Sequence, residues 1–386
     1  MKLRHIAILI LILSTMSFAQ YPENFEQAKN DARHQKKPIL MEFFKADCIY
    51  CELAKREAAT KDTMQIALQS VVHFPVDVKS DVGQPLVIPY FVGNTYPVFI
   101  LTDSSGDVIN RWTGYSNAGL FAQKLKQYLS DLTTIRQRYA RLEADPHFED
   151  ALVLAKYNDE IGENLEAAKL FLKAQTLEKV TGQDFSYEIF RNTADAVWNG
   201  KAPFDRLTAQ ADKYLSDKSG NKILISRAIR IIDNVAIRTG HTTEIAKYLQ
   251  MGIDAFTGAT DDASKELRSL LVADHNLFIK HDTTRAILVR KSAFGPDLDT
   301  NPEKYFSFAK WCLDRRINLD EAQSYAQKAV AVAAAGKFKA SILSTLANIY
   351  EARGKHKDAI AAFTQATQED PENDYYQAKL DSLNVK

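Results

Sequence analysis

The most constraining feature of this chain is a pair of cysteines, Cys48 and Cys51, placed where a strand gives way to a helix. Ile39 to Phe44 is an apolar run of strand length. Ala46-Asp47-Cys48-Ile49-Tyr50-Cys51 follows, and Glu52 to Ala59 is built of good helix formers. Ahead of the strand, Asn24 to Gln35 has helical spacing, with Phe25, Ala28 and Ala32 on one side, and Lys36-Lys37-Pro38 ends it. Behind the pair, Asp62 to Gln69 reads as helix. Val71 to Val78 reads as a second strand, with Pro75 inside it signalling a bulge. Pro97 to Leu101 is a third strand. Ser104 to Asp107 is a turn, and Val108 to Trp112 pairs back as a hairpin. Asn117 to Leu132 closes the unit as an amphipathic helix, with Leu120, Leu125, Tyr128 and Leu132 near one face.

In this order of elements the segment resembles the thioredoxin-like superfamily. The resemblance covers residues 22–132, roughly a third of the chain. It is carried by the strand Ile39–Phe44, by Cys48-Ile49-Tyr50-Cys51, by Tyr96-Pro97, by the hairpin at Gly106 and by the last helix. A Cys-x-x-Cys alone is a weak motif; with this flanking order it has the context it requires.

The chemistry follows from the placement. A thiol at a helix start faces unpaired backbone N–H groups and the positive end of the helix dipole, which favour the thiolate. Cys48 is therefore the expected attacking sulfur. Cys51, one turn deeper, would resolve the mixed disulfide. The resemblance implies that Pro97 is cis against the active-site sulfurs and that the backbone of Tyr96 pairs with a client strand. It also implies that Glu42, six residues before Cys48, takes and returns the proton of Cys51. Four positions depart from the family's pattern. Asp47 replaces the usual Trp and should oppose thiolate formation. Ile49-Tyr50 replaces Gly-Pro, and Tyr96 stands where a small or β-branched residue is usual; Tyr50 and Tyr96 would meet the client. His73, on the second strand and able to lie near Glu42, has no motif around it and reads as a structural histidine. The Cys pair has rival readings. Zinc would need two further ligands, a structural disulfide would close too short a loop to stabilise much, and a redox-inert relic would only bind partners.

Residues 1–19 read as a secretory signal. Lys2 and Arg4 precede the apolar run Ile6–Leu13, and Ser17-Phe18-Ala19 supplies small residues for cleavage. The run is shorter than the ~20 residues a membrane span needs. An exported protein, periplasmic or secreted, without stable membrane insertion after cleavage is expected. Disulfides persist in such a compartment.

After Leu132 glycine and proline become sparse and the apolar spacing is helical throughout. Residues 340–371 place Leu343, Leu346, Ala347, Tyr350, Gly354, Ala359, Phe363, Ala366 and Pro371 on the pattern of the tetratricopeptide repeat, about 34 residues long. Residues 148–181 match more loosely. Tyr305 to Lys339 is a further unit, with Ala309, Cys312, Ala322, Tyr325 and Ala329. Asp145-Pro146, Asn301-Pro302 and Asp370-Pro371 mark borders, and Asp374 to Leu383 reads as a capping helix. Residues 185–295 are helical but irregular, with a hairpin around Gly240. Cys312 sits on an apolar helix face and reads as packing. The expected architecture is an α/β thioredoxin-like domain over residues 20–132 and an all-α, tetratricopeptide-like helical-repeat solenoid over 133–386.

The chain of 386 residues carries 49 basic and 49 acidic side chains, which gives no electrostatic reason for nucleic acid or an anionic membrane as partner. There is no phosphate-binding Gly-x-x-x-x-Gly-Lys-Ser/Thr, no His-Glu-x-x-His and no Gly-x-Ser-x-Gly, and no cofactor or metal is indicated. Two functions remain. One is an exported thiol–disulfide oxidoreductase of reductase or isomerase type. Its partners would be clients with thiols or disulfides, a redox partner that resets the pair, and a protein or peptide held by the repeats. The other is a non-enzymatic adaptor or chaperone-like binder with a redox-inert head.

Overall fold

The computed structural model describes residues 21–178, 182–216, 221–294 and 301–384. The expected signal at 1–19 lies outside the described residues, as does the end of the unit expected at 148–181. The chain divides into two compact units, one up to Gly162 and one from Glu163 onward.

The first unit holds four strands, β1 (Ile39–Phe44), β2 (Val72–Asp77), β3 (Val98–Thr102) and β4 (Val108–Thr113), in the order β2-β1-β3-β4. β1 runs parallel to β2 and antiparallel to β3, and β3 and β4 form the hairpin. Because side chains alternate along a strand, β1 serves two cores. Ile39, Met41 and Phe43 pack with Ala28 and Ala32 of α1 (Phe25–Gln35). Leu40 packs on the other face with Ala54 of α2 (Ile49–Thr60), Met64 of α3 (Asp62–Leu68) and Phe121 and Leu125 of α5 (Ala118–Leu129). The short α4 (Gln84–Val87) lies on the connection from β2 to β3.

Pro75 makes no bulge. It pairs in register opposite Glu42, which the fold tolerates because β2 is an edge strand bonded only to β1. The irregularity falls instead between Leu101 and Thr102. Helix starts are chemically marked: Asn24 accepts from the Gln27 N–H and Asn117 from the Leu120 N–H, and Thr134 with Gln137 forms a capping box.

The first compact unit also takes in two helices that follow α5. α6 (Ile135–Ala144) and α7 (Phe148–Glu160) pack against β4. Buried Asp150 of α7 binds Arg138 of α6 at 2.8 Å and also holds Arg141.

The second unit is all-helical among the described residues, from α8 (Asn164–Leu177) to α19 (Asp374–Asn384). α15 (Pro302–Arg315) packs on α16 (Leu319–Val332), and α17 (Lys337–Ala352) on α18 (His356–Glu369). Three-residue connections make these antiparallel hairpins, as in helical repeats. Ala347, Ala359 and Ala366 are wholly buried in the second seam with Leu343 and Phe363, and Gly354 takes the left-handed turn at φ 71°. The irregular middle contains α11 (Lys222–Thr239), closed by left-handed Gly240, and α13 (Asp262–Asp274). A π-helical turn at His275–Ile279 continues α13.

Candidate functional site

Cys48 is the N-cap of α2. Its backbone is extended, and its Sγ accepts the Cys51 N–H at 3.2 Å. The sulfur thus occupies the place where a capping oxygen satisfies a free helix donor. Cys48 and Cys51 form a disulfide with Cα atoms 5.2 Å apart. Cys48 is half-buried and Cys51 buried. Between them Ile49 and Tyr50 are 76% and 60% exposed, a large apolar surface beside the outer sulfur. Asp47 is exposed as well.

Glu42 is buried on β1, two residues beyond Leu40 and so on the same sheet face, beneath α2. His73 of β2, diagonal to it across the strand pair, brings Nε2 to 2.7 Å from Glu42 Oε2. The structural histidine of the sequence reading is thus the direct partner of the expected proton acceptor.

The Tyr96–Pro97 peptide is cis. Phe43 pairs with Val98, so Pro97 stands at the end of β1 that leads to Cys48. The Pro97 carbonyl accepts the Gly114 N–H at 2.8 Å, which fastens the proline to the end of β4. The sequence reading missed how the preceding loop is held. Buried Arg111 of β4 donates Nη1 to the Tyr90 carbonyl at 2.9 Å and Nη2 to the Phe91 carbonyl at 3.3 Å. Phe91 has φ 49°, a left-handed conformation costly for an aromatic residue. Burial, with Asp107 and Asp103 nearby, pushes the Tyr90 phenol up to about 12, and its hydroxyl donates to the Gly106 carbonyl. A buried-strand position occupied by a lone Arg was the available signal.

A second link was also missed. Glu57 of α2 accepts the Tyr115 hydroxyl at 2.7 Å and the Ala118 N–H at 2.8 Å. These bonds, Tyr115's first, hold its carboxyl below the usual range. They tie the Cys-bearing helix to the start of α5.

Cys312, the third cysteine, is wholly buried in the helical region, and burial pushes its thiol up to about 12. Among the described residues no group of three or more His, Cys, Asp or Glu side chains gathers as a metal site. No helix among them is long and apolar enough to cross a membrane.

Compared with known families, residues 25–129 match the model of the thioredoxin-like domain. No curated protein matches the chain. With its sheet order, its cis-proline and a disulfide capping α2, the segment from Phe25 to Leu129 is a thioredoxin-like domain, followed by a helical region consistent with repeats.

Proposed function

We propose that the protein is an exported thiol–disulfide oxidoreductase of reductase or isomerase type, whose helical region holds the client. The observation that carries this is Cys48 at the N-cap of α2 with Cys51 buried one turn on, in a thioredoxin-like domain. Backbone N–H groups and the helix dipole favour a thiolate at Cys48. That thiolate attacks one sulfur of a client disulfide, forming a mixed disulfide and expelling the other client sulfur as a thiolate. Cys51 then gives its proton to Glu42 and attacks Cys48. The mixed bond breaks, the Cys48–Cys51 disulfide forms, and the client leaves with two electrons and, after protonation, two thiols. A dithiol reductant resets the pair. Ile49 and Tyr50, exposed next to Cys48 in the chain, and the backbone of Tyr96 before the cis-proline would supply contact for an extended client segment.

The reading is tested with Cys51→Ala. Without the resolving sulfur, mixed disulfides through Cys48 should accumulate on exported proteins and disappear in the Cys48→Ala/Cys51→Ala double variant. If no client is trapped, the function passes to the helical region alone.

A further inference from the structure

In the proposed cycle Glu42 takes a proton from Cys51, yet it is buried. Its carboxylate touches the His73 ring, and His73 in turn lines an open cavity of about 660 Å³ at the β2 edge of the sheet. Nε2 is taken by Glu42, whereas Nδ1 has no hydrogen-bond partner among the described residues. The imidazole therefore touches both the buried acid and the recess. Imidazole can accept a proton at one nitrogen and release it from the other.

We propose that His73 is a positioning and relay residue for the Cys51 step, carrying the proton between Glu42 and the cavity. The proposal rests on the oxidoreductase reading and deepens it. In the forward direction the Cys51 thiol loses its proton to a Glu42 carboxylate oxygen, and the carboxyl passes it to Nε2 of neutral His73. The Nδ1 proton then leaves to water in the cavity, so the ring ends neutral in its other tautomer, and the reverse half-cycle, in which Nδ1 takes a proton and Nε2 gives its own back through Glu42, restores the first. In the reverse direction the same path delivers a proton to Cys51 as the disulfide is reduced.

The surroundings suit this. Tyr21, ahead of α1, packs edge-on against the His73 ring with centroids 5.2 Å apart. Its phenol is held up by burial and by the Glu42 charge, so it stays protonated at neutral pH and does not compete as a base. The other charged groups on the cavity are Asp31 of α1 and Lys37 after it, one of each sign. α2 and α3 face it with neutral side chains, among them Ala58 and Gln65. Pro75, the residue in register with Glu42, has no group that could take a proton, which leaves His73 as the strand's contribution.

The test uses the reduced full-length protein and 5,5′-dithiobis(2-nitrobenzoate) in a rapid-mixing experiment. Attack by Cys48 releases the first coloured thiolate, and attack by Cys51 on the mixed disulfide releases the second. His73→Ala should leave the first phase unchanged and slow the second at least about tenfold at pH 7, the low end of what general acid–base groups supply. Because the substitution opens onto the cavity, added imidazole should restore the second phase. His73→Gln, which keeps a polar contact to Glu42 but cannot relay, should be slowed without responding to imidazole. A second phase at wild-type speed in both variants overturns the proposal, as does a slow His73→Ala that imidazole leaves slow. If the wild-type protein releases no thiolate at all, the oxidoreductase reading falls and takes the relay with it.

Discussion

Asp233→Asn should stabilise the helical region, and by more as the pH rises. Asp233 on α11 and Asp274 at the end of α13 are both buried beside the single guanidinium of Arg315. The guanidinium serves Asp274, with Nε and Nη2 each at 2.5 Å, and the Trp311 indole adds a bond at 3.0 Å. Asp233 receives a longer 3.3 Å contact from Arg315, and its Oδ1 has no partner among the described residues. Burial first, and then the charge of Asp274, push its carboxyl well above the usual carboxylate range.

A group whose folded value is raised contributes stability that is complete below its unfolded value, ~3.9 for Asp, and lost as the pH climbs toward the folded value. Over that window the wild type loses about 1.4 kcal/mol per pH unit through this one group. Asn imitates the neutral acid, donating to Asp274 and accepting from Arg315, and has nothing to ionise. The stability difference between variant and wild type should therefore start near zero at pH 4. It should grow at that slope and level off where Asp233 ionises in the folded protein. Urea unfolding at half-unit pH steps, followed by helical ellipticity, measures it. Parallel stability curves between pH 4.5 and 6 would refute the reasoning, because the neutral buried acid would then not exist.

Asp150→Ala removes the buried partner of Arg138, which keeps only Asp131. It should cost about 3 kcal/mol, the low end for a broken buried pair, in denaturant unfolding of the first unit. Ala347→Leu forces a larger side chain into the wholly buried α17–α18 seam and should cost ~1–3 kcal/mol by the same measurement. Iodoacetamide added to the reduced protein at pH 7 should label half-exposed Cys48 well before Cys51. Cys312, buried and with its thiol pushed up to about 12, should label only on unfolding; peptide mass spectrometry gives the order.

The thioredoxin-like part was legible because its signals are local. The apolar β1, the Cys pair before good helix formers and the Asn117 cap each announce an element from a few adjacent residues. The α17–α18 hairpin was legible for a related reason: small and large residues at repeat spacing state which helices touch. What stayed hidden are contacts between residues distant in the chain. Glu42 and His73, 31 residues apart, could be placed near each other from the strand assignment, but that they bond follows only from the β1–β2 register. Arg111 reaches the Tyr90 and Phe91 carbonyls about 20 positions earlier, and a lone Arg does not say what it clamps. Pro75 misled for the opposite reason. A strand proline signals a bulge or an edge equally, and only the sheet order decides. The charged centre of Asp233, Asp274 and Arg315 draws on three helices of the irregular middle and its neighbour, where no repeat spacing points to contacts.

The central claim is that Cys48 and Cys51 cycle as one two-electron couple, and its most direct test is a redox titration of the full-length protein without its expected signal. The protein is equilibrated in dithiothreitol or glutathione buffers, and the reduced fraction is read by thiol alkylation and mass. The account predicts a single two-electron transition between ~−270 and ~−180 mV, the range of thioredoxin and disulfide isomerase. A transition near ~−120 mV would make the protein an oxidant and contradict the reading of Asp47 as a brake on the thiolate. A pair that does not cycle would contradict the claim itself.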